Sequence, residues 1–446
     1  MTYYDSKQEI TPLLPLISTN ILILVSFYII ICSGIFCGGH KSERKFFMAK
    51  QKKLRENTNS NKTTDRKNIN KAKPKKAGTV IAVILALVLI ASSAAAVTYL
   101  INRGKRAMSD YSGSSVEATM PEEATVHKVE ERDMPVLKAD DKKSEGYLDG
   151  AVYIWKNKGY EVFKGSVKDA KEYASSISSY KRAFGKSCRV YDVVVPTSTE
   201  ITLPERLSKT FSNNQRENIN AVITNLSMDV TPVDVYNILG EHRNEYIYFN
   251  TDKYWTPLGA YYSYSELAPK LKIKPADLKS MEQTTLEQSF LGSHISSTVS
   301  KETQNGNPKL LDNPDKITFF ALPETVSVRA LPKGSEEETD MSYYNTYLED
   351  GASPSDIYAS KDCAYTVLSN SNIESGKIAL VTDKFGYALA PLLTYNYREV
   401  HLIDIDNFER NIKTYITKNK ITDIVYLNGI MSANTAAKTA KMDAMF

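Results

Sequence analysis

The sequence predicts an α/β protein, a mostly parallel sheet flanked by helices, carried behind an N-terminal transmembrane helix. Three observations lead there. Residues 77–102 hold no charged side chain, and their centre is built of Val, Ile, Leu and Ala. From Gly146 onward, short apolar runs alternate with stretches of helical spacing, the pattern of strands joined by crossover helices. The charge is also unevenly divided: residues 41–76 carry 14 Lys or Arg against 3 Asp or Glu, while the part after the apolar stretch is acidic. A basic stem on an acidic body makes the overall charge of +4 uninformative about nucleic acid, and no nucleic-acid partner is expected. With 446 residues, 42% hydrophobic and 24% charged, the chain is not collagen-like, wholly disordered or a disulfide scaffold.

The elements follow in order. Residues 1–47 contain an apolar run, Thr11–Gly39, that reads as an extra hydrophobic helix or as an over-extended start. Met48-Ala49-Lys50-Gln51-Lys52-Lys53 resembles the start of a single-pass protein and favours the second reading. Residues 48–76 form a basic cytoplasmic stem, whose charge is read as a topology signal ahead of a contact with anionic lipid. About 20 apolar residues suffice to span a bilayer, so 77–102 is read as the span. Lys71, Lys73, Lys75 and Lys76 precede it and only Arg103, Lys105 and Arg106 follow closely, which places the N-terminus in the cytoplasm and the C-terminal domain outside. Ser92–Ala96 offers a signal-peptide cleavage site, but the long apolar run and long basic leader favour an uncleaved anchor. Residues 103–145 read as a disordered linker. Cys188 and Cys363 then face outside and have one possible pairing.

Within 146–446, Tyr147–Phe163 reads as strands. Ser166 and Asp169 suggest a capping box before a helix running to Phe184 and closed by Gly185. Arg189–Val195 is a buried strand and Ser212–Leu226 a helix. Thr231-Pro232 is read as the cap of a second helix ending near Gly240, and Tyr246–Phe249 as a strand. Thr256-Pro257 starts another helix. Ile378–Val381, Val400–Ile403 and Ile424–Leu427 read as strands, with helices around Tyr387–Leu393 and Phe408–Lys418. Residues 273–360 break the rhythm and are read as an insertion of lid type. In such sheets sites gather at the carboxyl ends of strands, which directs attention to Thr197–Glu200, Asp252–Trp255, Thr382–Gly386, Asp404–Asn407 and Asn428-Gly429. No Cys/His cluster has metal-ligand spacing, and no phosphate-binding glycine motif occurs. Neither metal nor cofactor is expected. The Asp404-Ile405-Asp406 pair is only a weak cation signal. His127, His242, His294 and His401 are assigned surface or packing roles, and the tyrosine-rich stretches are read as packing at least as readily as sugar-stacking surfaces.

One segment carries more. Thr251-Asp252-Lys253-Tyr254-Trp255-Thr256-Pro257-Leu258-Gly259-Ala260-Tyr261 resembles the signature of the DHHW family. Val195-Pro196-Thr197-Ser198, Val381-Thr382-Asp383-Lys384-Phe385 and His401-Leu402-Ile403-Asp404 follow in the order that family shows, over about residues 146–437. The family resembles SGNH hydrolases and the periplasmic alginate O-acetylation proteins. This implies a three-layer α/β/α, flavodoxin-like domain outside the cell membrane. It also implies work beside a membrane-bound O-acyltransferase and contact with a cell-wall or exopolysaccharide glycan. In active relatives a Ser after the Asp of the third segment is the nucleophile, and the His of Asp-x-His is its base.

Here Asp252 and Trp255 match that pattern, but Tyr254 stands at the His position, Lys253 before it, and Lys384 at the Ser position after a matching Asp383. With reference pKa values of about 10 and 10.4, Tyr and Lys are poor replacements at neutral pH. A disarmed triad keeps only ~10³–10⁴-fold of acceleration over water. The reading is therefore a bacterial cell-envelope pseudoenzyme that binds glycan or supports polysaccharide O-acetylation. The alternatives are an active esterase or O-acetyltransferase and a scaffold without glycan contact. Asp252, Tyr254 and Lys384 mark the degenerate catalytic positions; Lys253, Trp255, Asp383, Ser198 and Asn428 are the candidate binding residues. An ion pair between Lys384 and Asp252 is favoured over a cationic pocket of Lys384, Lys253 and Tyr254 for an acidic sugar or a phosphate. One prediction concerns the start: peptide mapping of the native protein by mass spectrometry is expected to find nothing that begins before Met48.

Overall fold

The computed structural model describes residues 126–446 apart from 299–305, 346–347, 349–351 and 353. The expected span, the basic stem and residues 1–47 lie outside that set. Among the described residues no helix is long and apolar enough to cross a membrane.

Tyr147–Asp149 (β1), Val152–Trp155 (β2) and Lys158–Glu161 (β3) form an antiparallel meander. Helix α1, Val167–Phe184, starts as its sequence dictates. The Ser166 side chain accepts from the Asp169 amide while Asp169 reaches back to the Ser166 amide. Ala170, Tyr173, Ala174, Ile177, Tyr180 and Phe184 recur at helical spacing and are buried, and Gly185 closes the helix at φ +63°.

The chain then enters an eight-stranded sheet. Its strands are β4 (Arg189–Val195), β5 (Val230–Pro232), β8 (Val326–Pro332), β9 (Thr339–Asp340), β10 (Cys363–Asn370), β11 (Lys377–Thr382), β12 (Glu399–Asp404) and β13 (Asp423–Gly429). Their order is β5-β4-β13-β11-β12-β10-β8-β9. The first five are mutually parallel and the last three antiparallel. A separate pair, β6 (Gln283–Thr285) with β7 (Thr318–Phe320), lies within the insertion.

Alternation along the strands feeds two cores, because successive side chains of a strand point to opposite faces. Tyr191, Val193, Leu380, Leu402 and Val425 pack on one face with helices α5 (Pro257–Leu271) and α6 (Gly386–Leu393). Val190, Val194, Ala379, Val381, Ile403 and Ile424 pack on the other with α1, α3 (Gln215–Asn225) and α7 (Ile412–Asn419). Sheet and two helical layers match the expected α/β architecture. Shorter helices include α2 (Ser198–Ile201), α4 (Tyr236–Glu241), α8 (Ile430–Ala433) and α9 (Ala436–Asp443), with single turns at Glu205–Ser208 and Pro308–Leu311.

Several expectations are corrected. Thr231 and Pro232 lie in edge strand β5, where a residue without an N–H is tolerated, and the next helix begins only at Tyr236. Tyr246–Phe249 is no strand; it makes a single bridge, Tyr248 to Trp255. Residues 126–145, assigned to the linker, lie against the domain. Leu137 is buried, the Arg132 and Lys138 amides donate to Asn237 and Asn244, and Met134 packs on Gly240. Part of the insertion adds β8 and β9 to the sheet edge. Cys188 and Cys363 are buried free thiols and form no disulfide.

The turn from β11 into α6 leaves no room for a side chain at Gly386. A Cβ there would stand 2.4 Å from Cγ2 of Thr382, whose fully buried hydroxyl donates to Leu427 O at 2.5 Å and accepts from the Gly386 amide at 3.0 Å. Gly386→Ala is expected to cost about 1–3 kcal/mol in denaturant unfolding. Adding Thr382→Ala should make the double variant less costly than the sum of the two single changes.

Candidate functional site

A cleft of about 460 Å3 opens at the carboxyl ends of β11, β12 and β13. Its walls include Glu161, Lys253, Tyr254, Asp383, Lys384 and Phe385, with Asp406, Ser432 and Lys438 on the far side. Two hydrogen bonds anchor the loop that carries Lys253 and Tyr254. The Trp255 indole donates to Phe385 O at 3.0 Å, and the Thr256 hydroxyl donates to Tyr246 O at 2.7 Å. The Trp255 and Tyr254 rings both meet Phe385 edge-on, at 5.3 and 5.0 Å.

The same loop is gripped from the insertion. Asp315, fully buried, accepts from the Asn250 amide at 2.6 Å and from the amide and hydroxyl of Thr251 at 2.8 and 2.5 Å; the Tyr246 hydroxyl also donates to it. Asp252 accepts from the Tyr254 amide at 3.1 Å and from the Ser293 amide at 2.7 Å. Gly292 presses on it so closely that a Cβ would lie 2.3 Å from the Asp252 Cβ.

The expected ion pair of Lys384 with Asp252 is not made: among the described residues Lys384 makes no ion pair, and each Asp252 oxygen accepts instead from a backbone amide. Lys253 makes none either, and its ammonium lies over the Tyr254 ring at 5.3 Å. Lys438, by contrast, is paired with Asp406, which also holds Lys441 at 2.8 Å. That pairing, together with the Tyr387 hydroxyl on Asp404, accounts for the Asp404-Ile405-Asp406 carboxylates without a cation. Among the described residues no cluster suited to a metal ion is found.

The structure thus brings together Lys253, Tyr254, Asp383 and Lys384, and leaves three candidate binding residues out of the cleft. Trp255 is 2% exposed and structural. Asn428 is buried, accepting from the Asp383 amide at 3.2 Å and donating to the Tyr173 hydroxyl at 3.1 Å; that hydroxyl in turn donates to Asp192. Ser198 opens onto a different cavity. Burial raises the Asp383 carboxyl above the usual carboxylate range, against the opposing pull of Ser432 and of the Phe385 and Gly429 amides that donate to it.

Glu161 was not anticipated. It ends a short hairpin strand with no motif around it, yet it reaches the cleft. Burial, with Asp252 and Asp383 nearby, pushes it up to about 7 against the pull of Lys253. His294 is 2% exposed and packs on Gly159, as a core histidine would, and burial lowers it to about 4, so it is neutral at physiological pH. No histidine lines the cleft.

These features define a class: α/β proteins whose polar site sits at the carboxyl ends of parallel strands, closed from the side by a loop and an insertion. A family model described as "DHHW protein" matches residues 109–403, and the chain belongs to that family. Among curated proteins no relative matches. Of solved structures, a DHHW family protein from Eubacterium siraeum is similar over 68% of this chain and 98% of its own, with 22% identity and a TM-score of 0.59. PatB1 of Bacillus cereus, solved with a sulfonyl adduct, aligns over 64% of this chain and 98% of its own at 15% identity and a TM-score of 0.52. The O-acetyltransferase domain of AlgJ from Pseudomonas putida aligns over 66% and 94% at 11% identity, with a TM-score of only 0.35.

The Glu161 shift has a measurable consequence. Between about 4.5 and 7 the folded chain keeps a proton on Glu161 that the unfolded chain has lost, so this group lowers stability as pH rises through that window. Glu161→Gln removes the slope. The variant is expected to gain in melting temperature over the wild type between pH 5 and pH 8. A gap that stays constant with pH would mean that Glu161 ionises as it does in water.

Proposed function

We propose that this chain is a membrane-anchored, extracytoplasmic DHHW protein of the bacterial cell envelope. Its cleft binds an acidic glycan and supports polysaccharide O-acetylation without triad catalysis. The observation that carries this reading is the lining of the cleft. The segments that bear nucleophile and base in active relatives converge there, but they bring Lys384 and Tyr254, with no histidine in the lining. What they present is two ammonium groups without ion pairs and an aromatic edge formed by Tyr254 and Phe385. That combination suits a carboxylate- or phosphate-bearing sugar, the charge meeting the amines and the C–H face meeting the ring. The protein partner of this reading is a membrane-bound O-acyltransferase, and the anchor is the apolar stretch 77–102.

A second reading has one observation in its favour. Glu161, titrating near 7 in the cleft, is tuned as a general base would be. Ester hydrolysis would then run through a carboxylate instead of an imidazole.

Turnover of an acetyl ester separates the two. The full-length wild type is expected to be inactive, Lys384→Ser/Tyr254→His to gain activity, and Lys384→Ala to lose retention on an acidic wall polymer. Wild-type turnover that survives Lys384→Ala and disappears in Glu161→Gln would replace the first reading by the second.

A further inference from the structure

On the other side of β3 from the cleft lies a second cavity, of about 410 Å3, within the range of small-molecule sites (~300–1,000 Å3). Trp155, Tyr160, Tyr248 and Phe249 give it an aromatic wall, and Lys158 and Arg243 bring it positive charge. These two cations stand out for what surrounds them. Each acidic neighbour is already engaged elsewhere. Asp315 holds Thr251 and Tyr246, and Glu245 holds His242 at 2.7 Å and the Tyr262 hydroxyl at 2.6 Å. Glu200 accepts from the Tyr236 hydroxyl at 2.9 Å, and Glu205 pairs with Lys209 at 2.6 Å. Among the described residues neither Lys158 nor Arg243 makes an ion pair. Two more lysines line the cavity: Lys156 is spoken for by Asp141 at 2.9 Å and by the Trp155 ring, whereas Lys138 is exposed and, among the described residues, makes no ion pair either.

Two buried polar atoms are left over at the same place. Nε of Arg243 has no hydrogen-bond partner, nor has Oγ of Ser198, a residue 3% exposed that faces this cavity. Buried donors are normally satisfied, and an unpaired charge out of water is costly. Burial lowers both Lys158 and Arg243 from their ordinary values, outweighing the attraction of Asp315 for the first and of Tyr236, Glu200 and Glu205 for the second.

We propose that this cavity binds a small organic anion: one carboxylate or phosphate group, met by Lys158, Arg243 and Ser198, on a ring-sized body that lies along the aromatic wall. The site is separate from the cleft and shares no lining residue with it.

The test is calorimetric titration of the full-length chain with glucuronate and with glucose 6-phosphate, using glucose as the neutral control. It is run in a Lys253→Ala/Lys384→Ala background so that the cleft amines take no part. At least one charged probe is expected to bind saturably, ten-fold or more tighter than glucose. Arg243→Gln and Lys158→Gln should each weaken it at least ten-fold, Lys158→Arg should largely restore it, and Ser198→Ala, which removes one small donor, should weaken it several-fold. Which probe binds tells a carboxylate site from a phosphate site. Absence of saturable binding by either anion, equal binding of glucose, or binding indifferent to both cation substitutions would each overturn the proposal. So would anion binding seen in the wild type and lost in the cleft-disabled background, because it would assign the anion to the cleft.

Discussion

The cleft depends on one hydrogen bond between segments far apart in the chain, from the Trp255 indole to the Phe385 carbonyl. A buried indole N–H has to find an acceptor, and this one finds it in the turn between β11 and α6. The bond brings two loops into register. It sets Tyr254 edge-on against Phe385 and so places Lys253 and Lys384 at the same opening. Trp255 itself stays out of the cleft because its ring is spent on this join. Asp252 is likewise occupied: its carboxylate closes the loop on itself through the Tyr254 amide and ties it to the insertion through the Ser293 amide. An aspartate at this position is thus explained by the geometry of the turn, whether or not a histidine follows it.

Much of the sheet was legible because its strands and helices obey simple periodicities. The α1 capping box, the buried run of β4 and the apolar runs of β11, β12 and β13 lie where the sequence puts them. The rule that sites gather at strand ends led to the cleft. Edge strands β8 and β9 were hidden in a stretch whose polar segments break the pattern, and β10, just after that stretch, was not read as a strand although its run is buried. Thr231-Pro232 misled because Thr-Pro suits a helix start and an edge strand equally well.

The site was legible in part, for a reason that recurs. A motif names residues, but not what else will compete for them. Lys384 and Asp252 look like natural partners until the amide of Ser293, some 40 residues along, proves to hold the carboxylate. Trp255 and Asn428 belong to site segments, yet their own polar atoms are used up inside the protein. Glu161 lacked any signal in the sequence, since its unusual ionisation comes wholly from the burial and the carboxylates that surround it after folding.

The family match stops at residue 403, whereas β13, at 423–429, sits between β4 and β11 near the middle of the parallel array. The strand that joins the two halves of the sheet thus lies outside the matched segment and follows both of its neighbours in the chain. Until it arrives, β4 and β11 each present an open edge of unpaired amides and carbonyls, separated by nearly 200 residues of sequence. Synthesis from the N-terminus makes both neighbours before the strand that joins them. They have to be kept from pairing wrongly until β13 follows, and a chain broken before β13 would be left with two sticky halves in place of one sheet.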